Sequence, residues 1–416
     1  MLTSEAVPLS SWRPATRVAF RFFAVYFGLY VVMTQMLGGL IVLPIGSLPR
    51  VSTVLNPLVA WTGTHVFHVR ADPVVSGSGD KMYDWVQAFC LLVIALGGTL
   101  VWSILDRRRT RYDRAYRWFR VFLRFALGST MIGYGFAKAF PLQMGAPSLT
   151  RLLEPYGNFS PMGVLWSSIG ASFPYEEFVG LVEAAGGMLL FVPRTQLAGG
   201  LVAFGAMFEV FMLNMTYDVP VKLFSFHLVA MSVVLMAPYA KPLGALVFRP
   251  GARSWWAAIA QTMFGVYLVG MAAYGGWQGW KRFPGAARPP LYGIWTIGKM
   301  TIDGVEHPPL TTDPERWRRV IVQNANSISF WRMDDTPLQF TAKVDTAAKT
   351  IALTTTPTNG TAAGTLTYHQ TEADRLVFDG TVGPRTVHME TRRVDHTQFP
   401  LISRGFHWVQ EFPFNR

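Results

Sequence analysis

The stretch Glu183-Ala184-Ala185-Gly186-Gly187-Met188-Leu189-Leu190-Phe191-Val192-Pro193-Arg194-Thr195-Gln196-Leu197-Ala198-Gly199-Gly200 decides how the first two thirds of the chain fold. An apolar helix with one carboxylate and a pair of glycines runs into a Pro-Arg-Thr turn. A second helix then opens on small residues. Short connections of this kind join antiparallel neighbours, and small residues let helix backbones approach closely where a bilayer offers no hydrophobic drive. A glutamate in such a helix is expensive unless it has a partner or a task.

Similar segments lie on both sides of it. A bilayer core needs about 20 apolar residues per spanning helix. Seven segments meet that length: 18–43, 84–105, 118–140, 174–193, 196–214, 219–238 and 254–277. Val54 to Val69 is shorter and carries His65 and His68, so it reads as an interfacial or re-entrant helix. The composition agrees. Of 416 residues, 50% are hydrophobic and 15% charged, against about 25% charged in soluble domains. The apolar run Val18 to Leu43 is too long for a cleaved signal and has no small-residue cleavage site after it, so the first helix is expected to be retained.

The 37 basic and 25 acidic residues give a net charge of +12, and they are placed unevenly. Arg107, Arg108, Arg109, Arg111, Arg114, Arg117, Arg120 and Arg124 crowd one connection. Arg13, Arg17, Arg194, Lys241, Arg249 and Arg253 fall on the same side when helices alternate. Arg50, Arg70, Lys81 and Arg151 are on the other. The positive-inside rule then puts the N-terminus in the cytoplasm of a bacterial inner membrane. Seven spans place the C-terminal third in the periplasm or outside the cell. The basic run is interleaved with Tyr112, Tyr116, Trp118 and Phe119, but it is juxtamembrane. It reads as a topology signal and an anionic-lipid contact rather than a nucleic-acid surface.

Past residue 280 the charge density nearly doubles, and from Leu291 the apolar period becomes two. Candidate strands are Gly293–Ile302, Trp317–Gln323, Ser327–Met333, Leu338–Val344, Thr350–Thr355, Gly364–His369, Arg375–Phe378 and Thr386–Val394. Turn signals such as Asp334-Asp335, Asn359-Gly360 and Asp379-Gly380 separate them. Eight short strands with close turns predict an up-and-down β-barrel or meander. The chain therefore divides into a helical membrane domain, 1–280, and an exterior β domain, 281–416. The aromatic segment Arg404 to Arg416 is expected to lie on the barrel or the membrane surface.

Five ionisable residues stand out inside the helices: Glu183, Glu209, His227, Lys138 and Lys222. At ~1.5 Å rise per residue, Glu183 is ~14 Å, Glu209 ~8 Å and His227 ~12 Å from the outer helix ends. Three consecutive helices thus carry titratable groups at similar depth. They could relay protons or bind a polar headgroup; the plainer alternative is a structural network. Lys138 and Lys222 read as snorkelling anchors above them. His65 and His68 lack a third ligand at clear spacing, so no metal is expected. The single Cys90 excludes an intrachain disulfide and a Cys-x-x-Cys motif. No phosphate-binding glycine loop and no Gly-x-Ser-x-Gly elbow is present.

These residues carry two resemblances. Gly133-Tyr134-Gly135-Phe136-Ala137-Lys138 ends one helix, and the run from Glu183 to Gly200 forms the next two. Together they resemble the DoxX-like four-helix membrane proteins across about 118–240. That resemblance implies a membrane subunit linked to quinone or redox chemistry, with a quinone or similar lipid among helices three to six and a redox partner. Two helices before this core, one after, an exterior β domain and the lack of paired cysteines depart from the pattern. Gly293-Ile294-Trp295 is similar to the Gly-x-Trp opening of lipocalin-type barrels. In that family a late arginine, here Arg393 or Arg404, packs on the tryptophan. A competing reading has no catalysis: an envelope assembly or lipid-handling protein whose β domain binds a partner or a hydrophobic ligand.

Overall fold

The computed structural model describes residues 11–41, 51–152, 154–247, 255–282, 289, 291–324, 326–355 and 362–416. Arg50, Arg249, Arg253 and the Asn359-Gly360 turn lie outside the described residues. The chain forms two compact units: residues 1–249 with 403–416, and residues 250–402.

The helices are α1 (Pro14–Met33), α2 (Met36–Leu40), α3 (Asn56–Thr62), α4 (Met82–Leu105), α5 (Asp113–Ala139), α6 (Leu149–Leu152), α7 (Pro161–Gly170), α8 (Phe173–Phe191), α9 (Gln196–Thr216), α10 (Lys222–Met236), α11 (Ala240–Val247), α12 (Trp255–Arg282) and α13 (Pro400–Ser403). Proline near the start fits α1, α7 and α8, because the first-turn N–H groups have no helical acceptor anyway. The expected segment 18–43 breaks at Thr34, whose backbone is extended (φ −121°, ψ 179°). Gln35 there bonds the Tyr134 hydroxyl of α5 at 2.9 Å.

Six helices of the first unit run between two ends. At one, Arg17 bonds the Arg109 carbonyl, and Arg21 bonds the Tyr112 hydroxyl and the Asp106 carbonyl. There Arg124 caps the end of α8, with Nε 2.6 Å from the Leu190 carbonyl and Nη2 2.9 Å from that of Phe191. A cation on the last carbonyls of a helix is favourable. Arg124 is therefore buried structure as well as part of the basic run. At the other end, Asp80 accepts from the first N–H groups of α10, Lys222 at 2.8 Å and Leu223 at 2.9 Å.

All seven expected segments contain helix, but among the described residues four helices are long and apolar enough to cross a membrane: α1, α4, α9 and Lys222–Ala245. The expected count of seven spans is not supported by these four. α5 carries Arg114, Arg117, Arg120 and Arg124, and α8 carries Glu176, Glu177 and Glu183, which lowers the apolar character of both. In α12 the apolar stretch is shorter, Ile259–Gly275. The outward side of α4 is apolar, with Leu96, Leu100, Ile104 and Leu105 more than half exposed. An apolar face this continuous on a soluble protein would be a liability; against lipid it costs nothing.

The second unit closes a barrel. Its strands are β1 (Gly293–Ile302), β2 (Val305–Glu306), β3 (Trp317–Asn324), β4 (Ser327–Arg332), β5 (Pro337–Asp345), β6 (Thr350–Thr355), β7 (Ala362–Glu372), β8 (Arg375–Val382) and β9 (Arg385–Val394). From β3 to β9 each strand pairs antiparallel with the next. β1 pairs with both β3 and β9, and β2 is a short flap on β1. The eight expected strands are thus an eight-stranded antiparallel barrel.

Trp295 and Ile297 face inward, then a bulge between Ile297 and Lys299 shifts the alternation so that Met300 and Ile302 also do. The fully buried Arg316 holds this irregular backbone, bonding the Ile297 and Gly298 carbonyls at 3.0 and 3.1 Å and the Trp317 carbonyl. Trp295 is buried and donates to the Leu291 carbonyl at 3.0 Å. Of the two candidate arginines, Arg393 lies over its ring at 5.8 Å. The barrel interior is filled by apolar side chains, among them Val320, Phe330, Leu366, Phe378 and Met389.

Candidate functional site

The site starts from glycines. A Cβ on Gly135 would lie 2.6 Å from the Ala184 nitrogen and 2.6 Å from the Gly180 carbonyl oxygen. A Cβ on Gly187 would lie 2.6 Å from the Gly128 carbonyl oxygen. Backbones so close leave no room for side chains between α5 and α8, and this is the small-residue packing the sequence pointed to. One turn beyond Gly135, Lys138 reaches across to Glu183, Nζ to Oε2 at 2.8 Å. The side chains are 6% and 1% exposed, so Lys138 is a buried partner and not a snorkelling anchor.

The pair lines a cavity of about 240 Å3. Glu209 of α9 lines it too, as do Gln143, Trp166 of α7 and Leu228 of α10. The other carboxylate oxygen, Glu183 Oε1, is buried and has no hydrogen-bond partner among the described residues, and neither has the Gln143 side-chain oxygen. A carboxylate accepts and cannot donate. The cavity can therefore exchange a proton with Glu183 or receive a donor from whatever occupies it. Tyr134, 5.9 Å below the Lys138 ammonium, also lines a second, larger cavity of about 520 Å3 with Gln35, Lys81, Asp84 and Gln87.

Of the three acid–base candidates, Glu183 and Glu209 share the cavity. His227 does not line it. Its ring stacks on Tyr30 at 3.8 Å, its Nε2 meets the Tyr26 hydroxyl at 2.7 Å and its Nδ1 the Leu223 carbonyl at 2.7 Å. Depth along a helix says nothing of azimuth, and His227 faces α1, away from the α8 carboxylate. His65 stacks on Trp61, and His68 turns the chain in the left-handed region with φ 57°.

Lys222 belongs to a different cluster. Its side chain is 1% exposed, 3.2 Å from Asp218 Oδ1 and 3.6 Å from Asp80 Oδ2. Burial pushes the Asp80 carboxyl above its ordinary range, against the two α10 N–H groups and Lys222, which pull it down. Asp218, in the left-handed region at φ 53°, also takes Arg404 at 2.9 Å, the His407 backbone and ring, and Gln410 at 2.9 Å.

The segment 403–416 therefore packs on the helical unit. Trp85 donates to the Trp408 carbonyl, Met82 N–H to Glu411, and Ser160 N–H to the Arg416 carbonyl. Asp80, Asp218, Gln143 and the Arg404–Gln410 contacts carry no signal in the sequence. Their partners are up to 332 positions away, and no local pattern marks them.

No protein-family model matches the chain, and no solved structure matches it. A stretch of 118 residues is 29% identical to a protein described as uncharacterized, YwoB of Bacillus subtilis (strain 168); it spans 28% of this chain and 72% of that protein.

Proposed function

We propose that the helical unit is a DoxX-like, membrane-embedded binding site for the polar head of a quinone or similar lipid, serving a membrane redox partner. The observation that carries this reading is the buried Lys138–Glu183 pair with one free carboxylate oxygen, set in a largely apolar cavity between helices. Ligand sites are concave and mostly apolar with a few placed polar groups, and intramembrane ionisable residues default to function. Glu183 and Glu209 would hold or pass the proton. The filled barrel interior supports assigning the ligand to the helices rather than to the β domain.

The same proposal has seven spans in a bacterial inner membrane, with the N-terminus cytoplasmic and the barrel periplasmic or extracellular. α5 and α8 join the same two ends of the bundle as the four apolar helices do. Segment 403–416 sits at the end opposite the arginines, which supports a further crossing between α10 and the barrel. The described side chains of α12 suit that crossing: Met263, Phe264, Val266, Tyr267 and Val269 are all more than half exposed. A helix apolar all round fits lipid.

Two experiments test this. Organic extraction of the purified chain with mass spectrometry should recover a quinone or related lipid, and less of it from a Lys138→Met/Glu183→Leu double variant. Equal recovery from both would remove the ligand from this cavity. An alkaline phosphatase fusion at Arg416 should be active and one at Arg109 inactive; the reverse pattern would overturn the orientation.

A further inference from the structure

We infer that the cavity beside Glu183 selects a ligand whose polar head donates a hydrogen bond: a neutral hydroxyl head, phenolic or alcoholic, on an apolar body. This rests on reading the cavity as a ligand site, and it names the chemistry that site prefers. Glu183 is 1% exposed, and its Oε2 is taken by Lys138 while Oε1 has no donor among the described residues. The Gln143 oxygen is a second buried acceptor in the same wall. A head that only accepts, such as an ether or an oxidised quinone, leaves both oxygens unpaired in a low-dielectric site, which is the costly outcome for a buried acceptor, so of a quinone couple the hydroquinone is the form that fits.

Charge excludes the opposite case. Among the described residues, the acidic and basic side chains lining the cavity are Lys138, Glu183 and Glu209, with the neutral hydroxyls of Tyr134 and Tyr175 beside them. One cation against two carboxylates disfavours a carboxylate or phosphate head. Size limits the rest. At about 240 Å3 the cavity is below the ~300–1,000 Å3 of drug-sized pockets. A single ring or short polyol fits, and the apolar body would lie along Met162, Leu165, Trp166 and Leu213.

The test uses the full chain in lipid nanodiscs, with radiolabelled 4-butylphenol, 4-butylanisole and 4-butylbenzoate as probes and empty nanodiscs subtracted. The phenol should bind about tenfold or more tighter than the anisole, the scale of one hydrogen bond to a charged acceptor. The benzoate should bind weakest. In Lys138→Met/Glu183→Leu, where both partners become apolar and only the neutral Gln143 oxygen is left as an acceptor, the preference of phenol over anisole should shrink several-fold. Equal binding of phenol and anisole to the unaltered chain would overturn the donor preference while leaving a ligand site standing. A phenol preference that survives the double substitution undiminished would take Glu183 out of the recognition. Retention of no probe above empty nanodiscs would overturn the ligand site itself.

Discussion

Lys138 on α5 and Glu183 on α8 are 45 positions apart in sequence and 2.8 Å apart in space, almost wholly out of solvent. The glycines that let the two helices touch come one turn before the lysine and one turn before the glutamate, at 135 and 180. The ion pair and the close backbone approach are one construction, so changes to either should be felt by the other.

Removing one member of a buried pair leaves the other charge uncompensated, at about 3–5 kcal/mol, whereas replacing both with apolar groups is often neutral. Glu183→Leu should therefore destabilise the helical unit severely. Lys138→Met/Glu183→Leu should restore most of the loss. Thermal unfolding in detergent measures both. A double variant no more stable than Glu183→Leu would show that Lys138 is not the partner that matters.

Gly135→Ala puts a Cβ against the Ala184 nitrogen and the Gly180 carbonyl, where backbone and not a flexible side chain must yield. Overpacking of this kind costs about 1–3 kcal/mol. Gly133→Ala on the same helix meets nothing within 4 Å and should be neutral or gain up to about 1 kcal/mol from helix propensity. Equal melting temperatures for the two variants would mean that α5 and α8 are not held by this contact.

How much of this could be read from the sequence depends on the range of each signal. The strands are legible almost residue by residue, because alternation and turn chemistry are local. The seven helices are legible as helices, but their status as spans is blurred where α5 and α8 carry charges for capping and pairing. Glu183 and Glu209 stand out because charge in an apolar run is conspicuous. Grouping His227 with them is wrong, because depth along a helix does not give its facing. Asp80 and Asp218 look like ordinary turn residues; only the fold brings Arg404, His407 and Gln410 onto Asp218.

The buried Asp218 gathers Lys222, Arg404, His407 and Gln410. Asp218→Ala removes the acceptor common to all four. It should release segment 403–416 before it melts the helices, since Asp80 still caps α10. Limited trypsin digestion should then cut at Arg404 at a temperature where the parent is resistant. Continued protection of Arg404 in the variant would mean that Trp408 and Glu411 suffice to hold the segment.

Acid should weaken the barrel through its exposed aspartates. Asp303 is held below the usual carboxylate range by the Thr386 N–H and by Arg385, and Asp374 by Arg392. A depressed folded-state pKa gives stability that is complete above the unfolded value, about 3.9, and is lost as pH falls through the folded one. The melting temperature of the barrel should be flat from about pH 7 to 5 and fall below about pH 4. Asp303→Asn should lower the plateau and shallow the fall. An unchanged acid slope would assign the loss to other groups.

The barrel also tests its own tryptophan. Segment 403–416 belongs to the helical unit, so the fragment to express is 289–402. It has a closed sheet and an apolar interior without cysteine, and it falls within the 50–200 residues common for domains. It should be soluble and mostly β by circular dichroism. Trp295 is 4% exposed, bonded to Leu291 and covered by Arg393. Truncating a buried tryptophan costs about 3–5 kcal/mol, a large part of the 5–15 kcal/mol that holds a small domain. Trp295→Ala should therefore leave much of the fragment unfolded at room temperature. Arg393→Ala, which removes only the outer cover of the ring, should cost about 0.5–1 kcal/mol on the scale of an exposed cation–π contact. Should Trp295→Ala melt like the parent, the tryptophan is not the plug that closes this end of the barrel, and Arg316 on the β1 bulge becomes the residue to test in its place.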